Sequence, residues 1–360
     1  MSDSKSFLPT QMSALDARFE AQKIAFGPVV FQAVRIARDK GMLRAIEQAG
    51  QRGLLPDQVA TEVGTNTYTV KAVCEPAVVS GVLDMKDGAY VLTTVGHFLL
   101  NDDLTQANMD FVHDVCGEPL LHLDESLDCG RASGLKVFGS WPTVYEGLSQ
   151  LPPKVKESWF KFDHIYSDSA FPDVVKIIGA HKPRRLLDIG SNTAKWAMYC
   201  ARQVPEVNLT LADLPGQLAV AKQNVEKAGL SERMTYCPVD MLDPNVSLPT
   251  GFDIVWMSQF LVCFSEEEVI HILKKAAQAI SSTGRIFILD TYWDRQEYDI
   301  AAYCIANTTP YFTCVANGNS RMYRYDDFLN LLKAAELEVE QVWDTLGLGH
   351  TLLKVRRVGQ

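Results

Sequence analysis

From residue 184 onward the chain alternates between two hydrophobic periods. Short apolar runs bounded by Gly, Pro, Asp or Asn read as buried strands, and stretches with apolar residues three and four apart read as helices. "RLLDI" opens the series and is followed by a helical stretch at 192–203; "VNLTLADL" precedes a helix at 216–228; "MTYCPVD" is a third strand. "GFDIVWMS" precedes a helix at 265–280, and "RIFILD" follows it. This β-α-β-α-β order predicts a parallel sheet covered on both faces. Beyond it the helix "YDDFLNLLKAAE" leads to "VEQVWDT" and "HTLLKVRR", joined by "LGLG", so the last strand of the sheet is predicted to run antiparallel.

Upstream the pattern is mostly helical. "VVFQAVRIARDKGMLRAI" is amphipathic, "LLPDQVATEVG" is a short helix with Pro56 near its start, and "NTYTVKAVCEPAVVSGVL" is a further helix opened by Asn66 or Thr67. "LDMKDGAYVLTTVGHFLL" reads as two strands around Asp87 and Gly88, with His97 in the second. Together these predict a winged helix-turn-helix in residues 1–105. Residues 106–182 are helical and aromatic-rich, interrupted at Pro142, Pro152, Pro153 and Pro172, and residues 183–360 hold the alternating part.

Composition narrows the function. At 360 residues and 47% hydrophobic the chain can bury a large core, and its net charge of −10 disfavours non-specific attraction to nucleic acid or anionic membrane. No apolar run is long enough to span a membrane, and "MSDSKSFLPTQM" carries no apolar signal core, so the expected location is cytoplasmic. The 8 cysteines form no C-x-x-C and the 7 histidines no H-x-H, which predicts buried free thiols and no metal site. Residues 1–100 balance their charges, and the would-be recognition helix offers only Lys71, opposed by Glu75 and interrupted by Pro76, so DNA binding is disfavoured. A dinucleotide fingerprint would need glycine where Asn192 and Lys195 stand, which argues against a nicotinamide dehydrogenase.

In open α/β sheets ligands bind beyond the carboxyl ends of the strands, and here three successive strands end in an acid: Asp188, Asp213 and Asp240. An amino acid end carries an ammonium that calls for a carboxylate, for which Asp188 is placed, and the N–H groups of a helix start at Asn192 suit its carboxylate. Vicinal ribose hydroxyls call for a bidentate acceptor at Asp213; Asp240 with Met241 suits an adenine amino group and ring face. Taken singly, each Asp could equally be a helix cap or turn former.

These residues carry a resemblance. "LLDIGSNTA", "LADLP", "VDML", "FDIVWMSQFLVCFSEEE", "RMYRYDDFLNLLKAAELEV" and "GLGHTLLKV" resemble, in order and spacing, the motifs of the two-domain S-adenosylmethionine-dependent O-methyltransferases of the plant caffeate and hydroxyindole type. The resemblance implies a class I methyltransferase fold, a Rossmann-like sheet with an antiparallel last strand, behind an N-terminal winged-helix, mostly helical dimerisation domain. It also implies S-adenosyl-L-methionine as cofactor, held by Asp188, Gly190, Asn192, Asp213, Leu214, Asp240, Met241, Ser258, Gln259 and Tyr166. It makes 106–182 a linker and pocket roof, in which "SWFKFDHIYSD" resembles the helix that closes over the cofactor. A homodimer follows from the resemblance and from the apolar face of residues 28–46.

Two departures shape the reading. Where the family writes D-x-G-G-G-x-G, only Gly190 remains, and Ser191 and Ala194 add atoms beside the loop. If they do not fit, overpacking of about 1–3 kcal/mol weakens binding roughly 5- to 150-fold. Val262 and Cys263 stand where the family carries a His-Asp pair whose His deprotonates a phenol. A phenol with a pKa near 10 is about one part in a thousand ionised at neutral pH, and general-base help is typically worth about 10²–10⁴-fold. The escapes are an acidic substrate, methylation at an electron-rich ring carbon, or a base from elsewhere, with His350, His113 and His164 as candidates and His122 beside them; His97 and His271 read as structural. Tyr292, Trp293, Tyr311, Phe312 and Met322 suit a flat aromatic guest. The expected function is methylation of a small aromatic or quinone-like acceptor; the alternative is a non-catalytic cofactor- or small-molecule-binding protein on the same fold.

Overall fold

Local capping chemistry sets several helix starts in the computed structural model, which describes residues 12–360. Contacts divide the chain into two units, the first ending at Val112 and the second spanning His113–Gln360.

In the first unit the Ser13 hydroxyl accepts from the Asp16 N–H and starts α1 (Ala14–Asp39), which ends before Gly41 at φ +77°. Helices α2 (Met42–Ala49) and α3 (Pro56–Glu62) follow, α3 with Pro56 at its first position, where a missing N–H costs nothing. Asn66 caps α4 (Thr67–Val79) by accepting from Thr69 N–H at 2.8 Å. Strands β1 (Leu83–Lys86) and β2 (Ala89–Leu92) pair antiparallel around Asp87 and Gly88, both at positive φ. The wing stops there: Thr93 accepts from Gly96 N–H and starts α5 (Thr94–Asn101), so His97 lies on a helix and not in a strand. Gly96 permits this, since a Cβ there would meet the Val82 carbonyl at 2.4 Å. Helix α6 (Asp103–Phe111) completes the unit. Val34, Ala37, Met42, Leu43 and Ile46 are buried in its own core, while Leu15, Phe19, Ile24, Phe26 and Val29 on α1 are exposed. Much of the apolar face expected at 28–46 to serve dimerisation is thus this unit's interior.

The second unit opens with α7 (Leu123–Cys129), α8 (Val144–Gly147) and the long α9 (Pro153–Ala180). Pro152 and Pro153 mark the start of α9 as expected, but Pro172 lies inside it, and the helix runs through. The sheet then builds from β3 (Arg185–Ile189), β4 (Asn208–Asp213), β5 (Met234–Pro238), β6 (Phe252–Ser258) and β7 (Ile280–Asp290), all parallel. Helices α10 (Lys195–Gln203), α11 (Pro215–Lys227) and α12 (Glu266–Ala279) link them, and α13 (Asp299–Ala306), α14 (Thr309–Tyr311) and α15 (Tyr325–Ala334) follow. Strands β8 (Leu337–Leu346) and β9 (His350–Arg357) close the sheet antiparallel, in the order β5-β4-β3-β6-β7-β9-β8. Residues alternate between two cores: Leu187, Ile189 and Val255 face α12 and α15, whereas Leu186, Ile254 and Trp256 face α9, α10 and α11. Helix α10 begins three residues later than its apolar spacing suggests, because Gly190, Asn192 and Ala194 all take positive φ and hold the chain in a loop.

Candidate active site

Strand β3 carries Asp188 into the interior, 3% exposed, and its Oδ2 has no hydrogen-bond partner. Burial, with Asp213 close by, pushes the Asp188 carboxyl up to about 8. Asp213 ends β4 and organises the loop after β3: it accepts from Asn192 N–H at 2.8 Å and from Leu214 N–H at 2.7 Å. Its carboxyl is raised by burial, against those two donors. The Thr193 carbonyl accepts from Asn224, which ties the loop to α11. Gly190 is obligatory, because a Cβ there would stand 2.3 Å from the Phe260 ring.

Ser191 Oγ and Asn192 Oδ1 are also buried without a partner. Buried polar atoms are nearly always hydrogen-bonded, so three such atoms close together on residues 188–192 make this loop the candidate ligand site. Ala194, by contrast, packs fully buried in the core between the sheet and α9, α10 and α11, so its methyl does not crowd that place.

The other expected residues separate into groups. Met241 is core, while Asp240 is exposed and accepts from Leu242 N–H in a turn beyond β5. Ser258 ends β6 half-buried, and Gln259 follows at φ +48° with its side-chain Nε2 2.9 Å from His350 Nε2. His350 is fully buried, and burial pushes it down to about 4, so it is a neutral acceptor that positions Gln259. On α9, Tyr166 packs its ring 5.0 Å from Phe162, and His164 lies 4.0 Å from Asp163, its pKa lowered by burial and by Lys195. His113 is half-buried in an irregular turn with its Nδ1 unpartnered. The structure unites Asp188, Gly190, Asn192, Asp213 and Leu214 into one constellation; the three histidines stand in separate surroundings.

A further group escaped the sequence reading. Asp290 ends β7 at 4% exposure, held by N–H groups of Thr291 and Val262, and burial raises its carboxyl to about 7. Its signal was present: "RIFILD" ends in an acid by the same rule that singled out the first three strands. Burial pushes the Cys263 thiol up to about 12, and it is hydrogen-bonded with the Tyr145 side chain. Trp159 Nε1 donates to Tyr311 Oη at 2.6 Å, and burial raises both Tyr145 and Tyr311 well above the usual tyrosine range. Asp163 is raised to about 7 by burial and by Asp168, while Lys195, which itself pairs with Asp168, opposes that shift. Aromatic rings and hydroxyls thus meet an excess of carboxylates, an environment suited to a cationic ligand next to a flat one.

Two family models and several known proteins match this chain. Residues 166–336 match the family model of an O-methyltransferase domain, and residues 18–90 that of a Dimerisation2-like domain. An L-tyrosine C(3)-methyltransferase of Streptomyces lavendulae is 29% identical over 287 residues, 79% of this chain and 77% of that protein. A 3-amino-4-hydroxybenzoate 4-O-methyltransferase of Streptomyces cremeus is 23% identical over 316 residues, covering 86% and 82% of the two chains. Among solved structures, the S-adenosylmethionine-dependent methyltransferase SibL in its apo form superposes with a TM-score of 0.69 at 23% identity, covering 94% of this chain and 98% of that one.

Proposed function

We propose that this chain, which matches an O-methyltransferase domain and a Dimerisation2-like domain and is similar to S-adenosylmethionine-dependent methyltransferases, methylates a small phenolic or quinone-like aromatic acceptor, on oxygen or ring carbon, without a histidine base. The observation that carries this reading is the set of unpartnered buried polar atoms on Asp188, Ser191 and Asn192, in a unit that also buries a cluster of tyrosine, tryptophan and carboxylate side chains.

That set fits the amino acid end of S-adenosylmethionine. Asp188 would take the ammonium and so regain the partner its burial denies it, with Asn192 Oδ1 as a second acceptor for it, and the Ser191 hydroxyl would donate to the carboxylate. Asp213 would hold the ribose, Met241 and Asp240 the adenine, with Gly190, Leu214, Ser258, Gln259 and Tyr166 as walls. When bound, the cofactor supplies an electrophilic methyl group on a positively charged sulfur. The protein's own contribution is to fix a flat acceptor among Trp159, Tyr145 and Tyr311 and to exclude water, since positioning alone lowers a displacement barrier substantially. Transfer to ring carbon by one relative and to oxygen by another, according to their names, supports either outcome here. Several apolar side chains of α1 stay exposed, which supports a homodimer.

Calorimetric titration with S-adenosylmethionine and with S-adenosylhomocysteine, using Asp213→Ala as control, tests the cofactor site. Micromolar binding that weakens at least about tenfold in the control is expected, since a buried hydrogen-bonded carboxylate is worth roughly 1.5–3 kcal/mol. Methyl transfer from labelled cofactor to a panel of phenols, quinols and aryl acids then tests the reaction. Val262 also favours a second reading, binding without transfer; silence across the panel despite tight binding would put that reading first.

A further inference from the structure

A phenolic acceptor needs a group to take its proton, and the fold itself can supply one. Val262 cannot take a proton, yet its backbone N–H donates to a carboxylate, that of Asp290, which arrives from the neighbouring strand β7. From this geometry, and resting on the proposed transfer to a phenolic acceptor, we propose that Asp290 is the general base, seated against the backbone of Val262.

Three features support the assignment. Asp290 closes a central strand at the sheet end where Asp188 and Asp213 also lie, paired with Thr351 of β9 one residue beyond the ladder with β6, so its position is fixed by the sheet and not by a loop. The titratable groups that face it are Cys263 from the turn after β6, Tyr292 next along its own chain and Tyr323 before α15. All three are held neutral by burial, and among the described residues no ammonium or guanidinium pairs with Asp290; Arg295 and Arg321 act on Tyr292 and Tyr323 instead. A carboxylate without a cationic partner in a dry site is a far better proton acceptor than one in water, and burial brings its titration up to about 7. Asp163, the other carboxylate raised to about 7, is less suited because the Lys195 ammonium bears on it and lowers its basicity.

The step itself balances simply. The phenolic O–H bond breaks, its proton goes to an Asp290 carboxylate oxygen to form a carboxylic O–H, and the bonding pair stays on the phenolate, which becomes the nucleophile through oxygen or through its ring. In the ring case the C–H bond at the methylated carbon then breaks, its electron pair restores the aromatic ring and the oxygen regains a proton. Asp290 returns the proton to water after product leaves.

The test uses the full-length protein, with catechol as an acceptor that needs deprotonation and 4-nitrocatechol as one already ionised at neutral pH. Asp290→Asn should lower catechol turnover by about 10²–10⁴-fold and 4-nitrocatechol turnover by less than about fivefold. Wild-type kcat/KM on catechol should rise with pH through about 7, and the Asn variant should lose that rise. Asp290→Glu, which keeps a carboxylate, should retain the rise and part of the catechol rate. Calorimetric affinity for S-adenosylmethionine should stay within about threefold in both variants; a larger loss would place Asp290 in the cofactor site or the fold and overturn the assignment. Equal losses on both acceptors, or selective loss of catechol turnover in Asp163→Asn with Asp290→Asn unaffected, would overturn it as well. A wild-type enzyme silent on both acceptors would remove the phenolic reading and the base together, a result distinct from any variant effect.

Discussion

Asp188 is a carboxyl kept where its charge is unwelcome, and that fact has a sign. Its pKa in the fold, about 8, lies above the ordinary carboxylate value of 3.8. Between those values the native state holds a proton that the unfolded chain does not, so stability falls as pH rises from about 4 to about 8. Asp163 and Asp290, raised to about 7, act in the same direction. Calorimetric melting of the ligand-free protein should therefore show a falling melting temperature across that window, and Asp188→Asn should flatten the fall and melt above wild type at pH 8. His350, lowered to about 4 by burial, works in the opposite direction below about pH 6.5, so the decisive comparison is between the two proteins: identical pH profiles of melting in wild type and Asp188→Asn would contradict the buried carboxyl. The same asparagine should bind S-adenosylmethionine more weakly, since a site that stores strain for its ligand exchanges stability for binding. Binding an ammonium beside Asp188 stabilises the ionised form, so titrations near pH 7 should release protons, visible as a binding heat that changes with the buffer's ionisation enthalpy.

At the scale of elements, the loop of residues 190–194 shows why motif departures do not translate directly into lost function. From the sequence, Ala194 in place of glycine looks like crowding of the pocket, but its methyl lies in the core that α9 and α10 share, with φ +63°. Ala194→Gly should relieve left-handed strain of about 1–2 kcal/mol, lose a buried methyl and leave cofactor affinity within about threefold by calorimetry. Tightening by tenfold or more would mean that alanine does obstruct the ligand. The turn that carries Val262 and Cys263 runs into α12, whose Ser265 and Glu268 cap each other's N–H groups. Ser265→Ala should cost about 1 kcal/mol, read as a melting temperature lower by roughly 2–4 °C. The strands were legible because buried parallel strands are written as apolar runs closed by polar punctuation, and "RLLDI" and "GFDIVWMS" lie where the structure has them. Helix starts were less so: nothing in the spacing of "SNTAKW" says that Asn192 and Ala194 take positive φ, and "TTVGHFLL" continued a strand pattern until Thr93 capped a helix.

For the whole molecule the same limit decides how an amphipathic stretch is read, because an apolar residue bound for its own core and one left over for a second copy look identical in sequence. Val34, Ala37, Met42, Leu43 and Ile46 belong to the first kind. The second kind comes earlier on α1, where Ile24 is 80% exposed and Val29 61%. Leaving such side chains in water forfeits about 1.5–3 kcal/mol each relative to burying them, which gives a second copy a reason to cover them. The Dimerisation2-like match over residues 18–90 includes this stretch. Light scattering at micromolar concentration should return a dimer for the wild-type chain and a monomer for Ile24→Asp combined with Phe26→Asp, with melting of the monomer close to that of wild type at matched low concentration because both positions are exposed. A double variant that stays dimeric would move the interface elsewhere, and a wild type already monomeric would remove the dimer altogether. The candidate site itself is assembled from β3, β4, β6, β7 and α9 of the second unit, so the monomeric variant separates two questions: cofactor affinity should survive in it, and any loss of methyl transfer would measure what a second copy contributes to acceptor binding.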